Sequence, residues 1–183
     1  MAYDESIRGA RLFCRTLTSV VFQPALEVAR SHEVTEAQLD CLRFIAGHKD
    51  CTPGDIARGL RISPAAATNL VDRLVRKGLA NRQEDQEDRR IVLLSLTPPG
   101  TEAFEEISRS EEKNFEKILS RLEPGHRDLL LQALDAFVKA GTADEAVAQK
   151  ICLECGKWHQ PDCPLAGSYP GAEADSLGGM PAL

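Results

Sequence analysis

The sequence predicts a mainly α fold in which a helix–turn–helix and a two-stranded β-ribbon sit between long terminal helices. Three observations predict it. Thr52-Pro53 and Ser63-Pro64 are two helix starts set close together, each a hydroxyl N-cap followed by proline at the first helical position. Residues 79–96 then switch to strand-like runs on either side of a charged connection. Apolar residues recur at helical spacing both before and after this block.

The elements follow in order. Asp4 to Ala29 reads as one long helix, with Ile7, Leu12, Leu17, Val20 and Val21 at rough helical spacing and Pro24 as a kink point. Thr35 and Gln38 have capping-box spacing and open a helix through Leu39, Leu42, Phe44, Ile45 and Ala46 that ends at Gly47. Thr52 caps a short helix, with Asp55 in its first turn and Ile56, Ala57 and Leu60 facing inward. After Arg61-Ile62, Ser63 caps the next. There Ala67, Leu70, Val71, Leu74 and Val75 form an apolar stripe, while Thr68, Asn69, Asp72, Arg73 and Arg76 face away from it. Gly78 suits the C′ position.

Leu79–Gln83 and Ile91–Leu96 read as a hairpin with a polar tip at residues 84–90. Thr97-Pro98 starts a helix to about Leu122, Glu123-Pro124-Gly125 breaks it, and His126–Ala140 is a further helix closed by Gly141. Residues 166–183 are rich in Gly, Pro, Ala and Ser and are expected to be disordered. The organisation is therefore an N-terminal helical region (1–34), a central lobe (35–97), two further helices (98–141), a cysteine-bearing segment (142–165) and a tail (166–183).

The chain has 183 residues and a formal net charge of −6, which excludes a uniformly basic nucleic-acid binder. The charge is uneven: residues 54–97 carry eight Arg/Lys against six Asp/Glu, and residues 99–150 carry seven against eleven. A locally positive face on an acidic body can bind DNA while keeping non-specific binding weak. The apolar stretch from Leu12 to Leu26 is interrupted by Arg15, Gln23 and Pro24, so it reads neither as a membrane span nor as a signal peptide. A cytoplasmic location is the expectation, and there the six cysteines point to metal or redox chemistry before a disulfide framework.

The second helix of a helix–turn–helix enters the major groove N-terminus first, and close approach needs small residues at that end. Ser63, Pro64, Ala65 and Ala66 supply them, and Thr68, Asn69 and Arg73 can reach bases or phosphates. Arg89 and Arg90 at the hairpin tip suit a narrow, electronegative minor groove, with Asp88 placed to hold Arg90 extended.

The run from Ser63 through Leu74, then Lys77-Gly78-Leu79, Arg82, Asp88-Arg89-Arg90 and Leu96-Thr97-Pro98-Pro99-Gly100, resembles the MarR family of winged-helix repressors across about residues 5–140. The resemblance implies a winged helix-turn-helix domain whose long terminal helices form an intertwined dimer on palindromic double-stranded DNA. It implies that Arg90 is the wing arginine and Asp88 its partner. It also implies a small-molecule effector, with no lining residues assigned. Breadth of the terminal apolar faces argues for the homodimer independently, since a single lobe cannot cover them.

Cys152-x2-Cys155-x3-His159-x3-Cys163 lies outside that resemblance. Four soft ligands in so short a span fit one tetrahedral metal centre per chain, with the Cys-x2-Cys pair in a tight turn before Gly156 as in a zinc knuckle. With Trp158 as the segment's large aromatic, a metal is the expected folding nucleus. Zn2+ leads, an iron–sulfur cluster is the alternative suggested by Cys163-Pro164, and reactive thiols without metal remain open. Cys14 and Cys41 read as buried helical residues, Cys51 as a loop residue, and His32, His48 and His126 as surface or capping groups. Against the regulator stand two other classes: a metal- or thiol-dependent redox enzyme, and an interaction adaptor built on the knuckle. The chain offers no phosphate loop and no nucleophile–base pair for the first.

Overall fold

The computed structural model describes residues 2–155 and 163–165. Its elements run α1 (Ala2–Thr16), a π-helical segment (Leu17–Phe22), α2 (Gln23–Ser31), α3 (Glu36–Gly47), α4 (Pro53–Gly59), α5 (Pro64–Arg76), β1 (Ala80–Glu84), β2 (Val92–Leu96), α6 (Pro98–Leu119), α7 (Pro124–Gly141) and α8 (Glu145–Cys155).

The expected N-terminal helix is continuous in direction but not in winding. Pro24 has no N–H and its ring crowds the carbonyl four residues back. The turns before it widen, so that the Gln23 N–H bonds back to Thr18 O. Asn114 of α6 donates to Val21 O at 3.4 Å, which occupies a carbonyl of the widened stretch.

The remaining helix starts follow from side-chain caps. Thr35 and Thr52 each form a full capping box, with Gln38 and Asp55 respectively. Ser63 accepts from the Ala66 N–H at 3.2 Å and Thr97 from the Gly100 N–H at 3.1 Å. Gly78 stops α5 at φ +70°, a conformation L side chains avoid. Register of the antiparallel ribbon runs from Ala80↔Leu96 to Glu84↔Val92.

The core lies between α3, α4, α5, the ribbon base and α6. Leu39, Leu42, Ile56, Val71 and Leu74 are fully buried there, with Ile107 nearly so. Burying each such side chain stabilises by about 1.5–3 kcal/mol. Cys41 and Cys51 belong to this core, and burial pushes both thiols up to about 12. Cys51 is indeed in a loop, but its carbonyl accepts from the Leu94 N–H of β2 and its side chain is sealed in. His48 takes the capping alternative and is buried while doing so. It stacks on Phe44 at 4.1 Å, and its Nδ1 lies 2.9 Å from Phe44 O at the end of α3.

Polar pairs fasten both the lobe and the end of α2 to α6. Arg43 of α3 bridges Asp40 and the buried Glu111, and His32 meets Glu106 at 2.8 Å. By contrast α7 has no buried residue: Phe137 is 76% and Leu129 62% exposed. Cys14 in α1 is likewise exposed, against the expectation of burial.

Helix α8 is an addition to the expected elements. Asp144 caps it by accepting from the Val147 N–H at 3.1 Å, and it packs against α3 and α4. Ala148, Cys152 and Leu165 form a small apolar cluster there with Val138 and Cys163.

Candidate nucleic-acid interface

α5 presents to solvent the face expected to read DNA. Its stripe of Ala67, Val71 and Leu74 is buried and fixes the rotation about the helix axis. Ser63, Pro64, Ala65, Thr68, Asn69 and Arg73 are therefore exposed, with Ala66 half-buried behind them. The start of a helix carries partial positive charge, which favours a phosphate there, although at α5 Pro64 has no N–H and the Ala66 N–H is taken by Ser63. Lys77 anchors the other end of α5, donating to Gln38 Oε1 at 3.2 Å and to Glu33 O.

The wing is ordered by its own carboxylates. Asp85 Oδ1 accepts from the N–H groups of Glu87 and Asp88 at 2.8 and 2.9 Å. Asp88 then takes the Arg90 guanidinium as a fork: Nε donates to Oδ1 at 2.9 Å and Nη2 to Oδ2 at 2.8 Å, and the Arg90 N–H adds a third bond at 3.0 Å. These bonds hold the Asp88 carboxyl below its usual range and raise the guanidinium's. Arg90 is nonetheless 90% exposed, so a paired, pre-aimed cation stands at the tip with Arg89 exposed beside it.

Arg82 also has a partner within the chain. It pairs with Asp72 of α5 at 2.6 Å and so braces β1 against the reading helix. A contact between residues so placed in the fold leaves no local sequence pattern. The base of the ribbon is closed more tightly still. Thr97 Oγ1 donates to Gly78 O at 2.5 Å and the Thr97 N–H to Leu79 O at 3.1 Å, while a Cβ on Gly100 would come within 1.8 Å of Leu79 O. The Leu-Thr-x-x-Gly run is thus a steric requirement of this corner.

Residues 32–91 match the sequence model of the MarR family. The HTH-type transcriptional repressor MdtR of Bacillus subtilis is 30% identical over 142 residues, which span 78% of this chain and 90% of that protein. The chain belongs to the MarR family. Its MarR fold is similar to that of the YusO protein from Bacillus subtilis, at 30% identity and a TM-score of 0.58 over 77% of this chain and 98% of that one. Streptococcus pneumoniae FabT, solved in complex with DNA, shares the fold at 20% identity and a TM-score of 0.62, over 73% of this chain and 95% of that one. Like other MarR proteins the chain is a winged-helix transcriptional regulator and not an enzyme.

The second group of site residues departs from the sequence reading. Cys152 and Cys155 lie on the last turn of α8, not in a tight turn. A helix points residues three apart along one flank but not at one atom, and here Cys152 is 3% exposed while Cys155 is open to solvent. Cys163 packs beside Cys152, and burial together with the neighbouring Cys163 and Cys155 pushes the Cys152 thiol up to about 11. His159, Gly156, Trp158 and the tail 166–183 lie outside the described residues. Among the described residues no three acidic, imidazole or thiol groups stand together as a metal site. The Asp144 cap was the available signal for α8, and the cysteines' value as small apolar residues explains why a search for ligands passes over it.

Proposed function

We propose that this MarR-family regulator is a homodimeric repressor that binds a palindromic operator, with α5 of each protomer in the major groove and each wing in the minor groove beside it. The observation that carries the reading is the Asp88–Arg90 fork on an exposed wing next to the solvent face of α5. The wing is ordered by its own hydrogen bonds and the outward face of α5 is exposed to solvent. The open apolar faces of α1 and α7, with Ile7, Leu12, Leu129 and Phe137 all exposed, support a second copy as their cover. Two-fold symmetry then sets two half-sites about one helical turn, ~34 Å, apart. No described helix is long and apolar enough to cross a membrane, which fits the proposed cytoplasmic setting.

Substituting Arg90 with Ala tests the wing. Loss of a base- or groove-contacting arginine costs about 1–3 kcal/mol, so operator affinity at fixed salt should fall by roughly tenfold or more. Unchanged affinity would remove the wing from the interface.

For the signal, the proposal is a soft metal ion, Zn2+ first and an iron–sulfur cluster second, held by Cys152, Cys155 and Cys163 with His159. Support comes from the donor set and from the meeting of Cys152 and Cys163 in one cluster although they belong to separate segments. Metal analysis and an absorption spectrum of protein purified without oxygen separate the two. A small-molecule signal is favoured by a different observation. An open cavity of about 380 Å3 lies where α2 meets the start of α3, lined by Leu26, Arg30, Glu33, Val34, Thr35 and Glu36. Isothermal titration with small aromatic acids, before and after zinc removal, tells the two signals apart.

A further inference from the structure

We infer that Lys77 is a positioning residue for DNA reading: it ties the C-terminal end of α5 to the corner between α2 and α3, and so sets the angle at which α5 meets the major groove. This rests on the groove reading above and adds what holds the helix at its angle.

Lys77 is the C-cap of α5, with its own N–H bonded to Arg73 O at 3.1 Å. It follows Arg73 by four residues, a spacing that makes the two side chains neighbours on the helix surface. A cation in that place could serve as one more phosphate contact. Its ammonium is instead turned back onto the chain, where Nζ donates to Gln38 Oε1 at 3.2 Å and to Glu33 O.

Both acceptors are held by bonds of their own. Gln38 is 2% exposed, and its Oε1 also accepts from the Thr35 N–H at 3.1 Å within the capping box of α3. Glu33 has φ +57°, a left-handed conformation that few residues other than glycine adopt. Its N–H bonds to Arg30 O at 2.9 Å, and the N–H of the buried Val34 bonds to Ala29 O at 2.8 Å. The end of α2 is closed in this way, and a cation beside a helix C-terminus is favoured by the helix dipole. An ammonium suits the joint because its three donors, on a flexible stem, can serve oxygens from two different elements.

The buried stripe of α5 fixes rotation about the helix axis. Ties outside the stripe resist its tilt: Arg82 of β1 holds Asp72 at 2.6 Å, and the corner holds Lys77 at the helix end. Tilt matters most for base contacts, because hydrogen bonds weaken steeply once their distance and angle are lost. General attraction to the phosphate backbone carries no such demand. Losing the tie therefore costs sequence reading and leaves non-specific binding in place. Glu33 and Thr35 also line the cavity at the start of α3, so the same tie joins the reading helix to the wall of that cavity.

Lys77→Met tests this, since it keeps an unbranched stem and removes the ammonium. In full-length protein, affinity is measured across a range of salt on two probes: a palindromic duplex that the wild type selects from a random-sequence pool, and a duplex of the same composition with its sequence shuffled. The selected duplex should be bound at least about fivefold more weakly, the worth of one base-edge contact. The shuffled duplex should be bound as by the wild type, the salt dependence on both probes should be unchanged, and the thermal midpoint should stay within about 4 °C. A phosphate contact behaves otherwise: both duplexes weaken together, and the slope of log affinity against log salt falls by about one. That pattern overturns the assignment. So does unchanged affinity for the selected duplex, or a midpoint lowered far beyond that range, which would make Lys77 a residue of folding alone. Failure of the wild type to select any palindromic duplex removes the groove reading, and the role of Lys77 with it.

Discussion

The winged-helix lobe and the terminal helices are built from similarly apolar sequence, but they reach opposite ends. In the lobe, every helix start is capped by its own threonine or serine and the stripes of α3, α4 and α5 close on one another. In α7 the apolar residues also recur at helical spacing, yet none is fully buried: Leu130, Leu134 and Val138 are half-covered, while Leu129 and Phe137 face solvent. Amphipathic periodicity specifies that a face must be covered; it does not specify by what. The lobe closes on itself, whereas the outer faces of α1 and α7 stay open to solvent.

The harshest way to break the lobe side of this contrast is a Cβ at residue 100. Gly100→Ala drives an atom into Leu79 O, which backbone cannot yield without separating β1 from α6. The expected loss is of order 4 kcal/mol, read by chemical denaturation. If stability held within about 1 kcal/mol, the corner would be far softer than its geometry says.

A smaller effect of a different kind is expected from Phe137→Glu. The side chain already lies in water, so folding stability should change by no more than about 0.5 kcal/mol. Self-association should weaken by roughly 2 kcal/mol or more, seen by sedimentation as a shift to monomer. A variant that stays dimeric would reassign the cover of α7.

Next comes Arg82→Ala. Losing the Asp72 partner on a part-exposed surface should cost only about 0.2–1 kcal/mol of stability. The readout is wing order: hydrogen exchange in β1 should rise while α5 stays protected. Equal protection in both would mean that the pair braces nothing.

The least energetic test is chemical. Exposed Cys14 and Cys155 should alkylate readily at pH 8, whereas Cys41 and Cys51 should resist until the lobe unfolds. Their raised thiol values also fix a pH window. The unfolded chain begins to lose these protons near 9 and the folded one only near 12, so the unfolded state gains from deprotonation first. Lobe stability should be intact below 9 and decline as pH rises towards 12. Stability flat across that window would place these thiols nearer water than the packing shows.

What could be read from the sequence was whatever is local. Thr35, Thr52, Ser63 and Thr97 bond to amides three residues on, and the stripe of α5 turns its reading face outward by periodicity alone. Asp88 and Arg90 are two residues apart, and their fork was likewise legible. The widened turns at residues 17–22 were not, because Pro24 announces a disturbance without saying how far upstream the backbone absorbs it. Arg82–Asp72 and Arg43–Glu111 join elements distant in sequence and leave no spacing to notice. For α8 the obstacle was chemical: a cysteine pattern has a ligand reading and a packing reading, and composition does not choose between them.

The corner at Thr97 and Gly100 has one more consequence. Because the ribbon's base is fused to the first turn of α6, the wing cannot pivot on its own; it turns with that helix. Five residues of strand at about 3.3 Å each make an arm of roughly 16 Å. A tilt of about 10° in α6 therefore sweeps Arg90 sideways by ~3 Å, half the width of a ~6 Å minor groove. With the wing in a minor groove as proposed, a small change of angle deep among the helices would be enough to move the arginine from inside the groove to its rim.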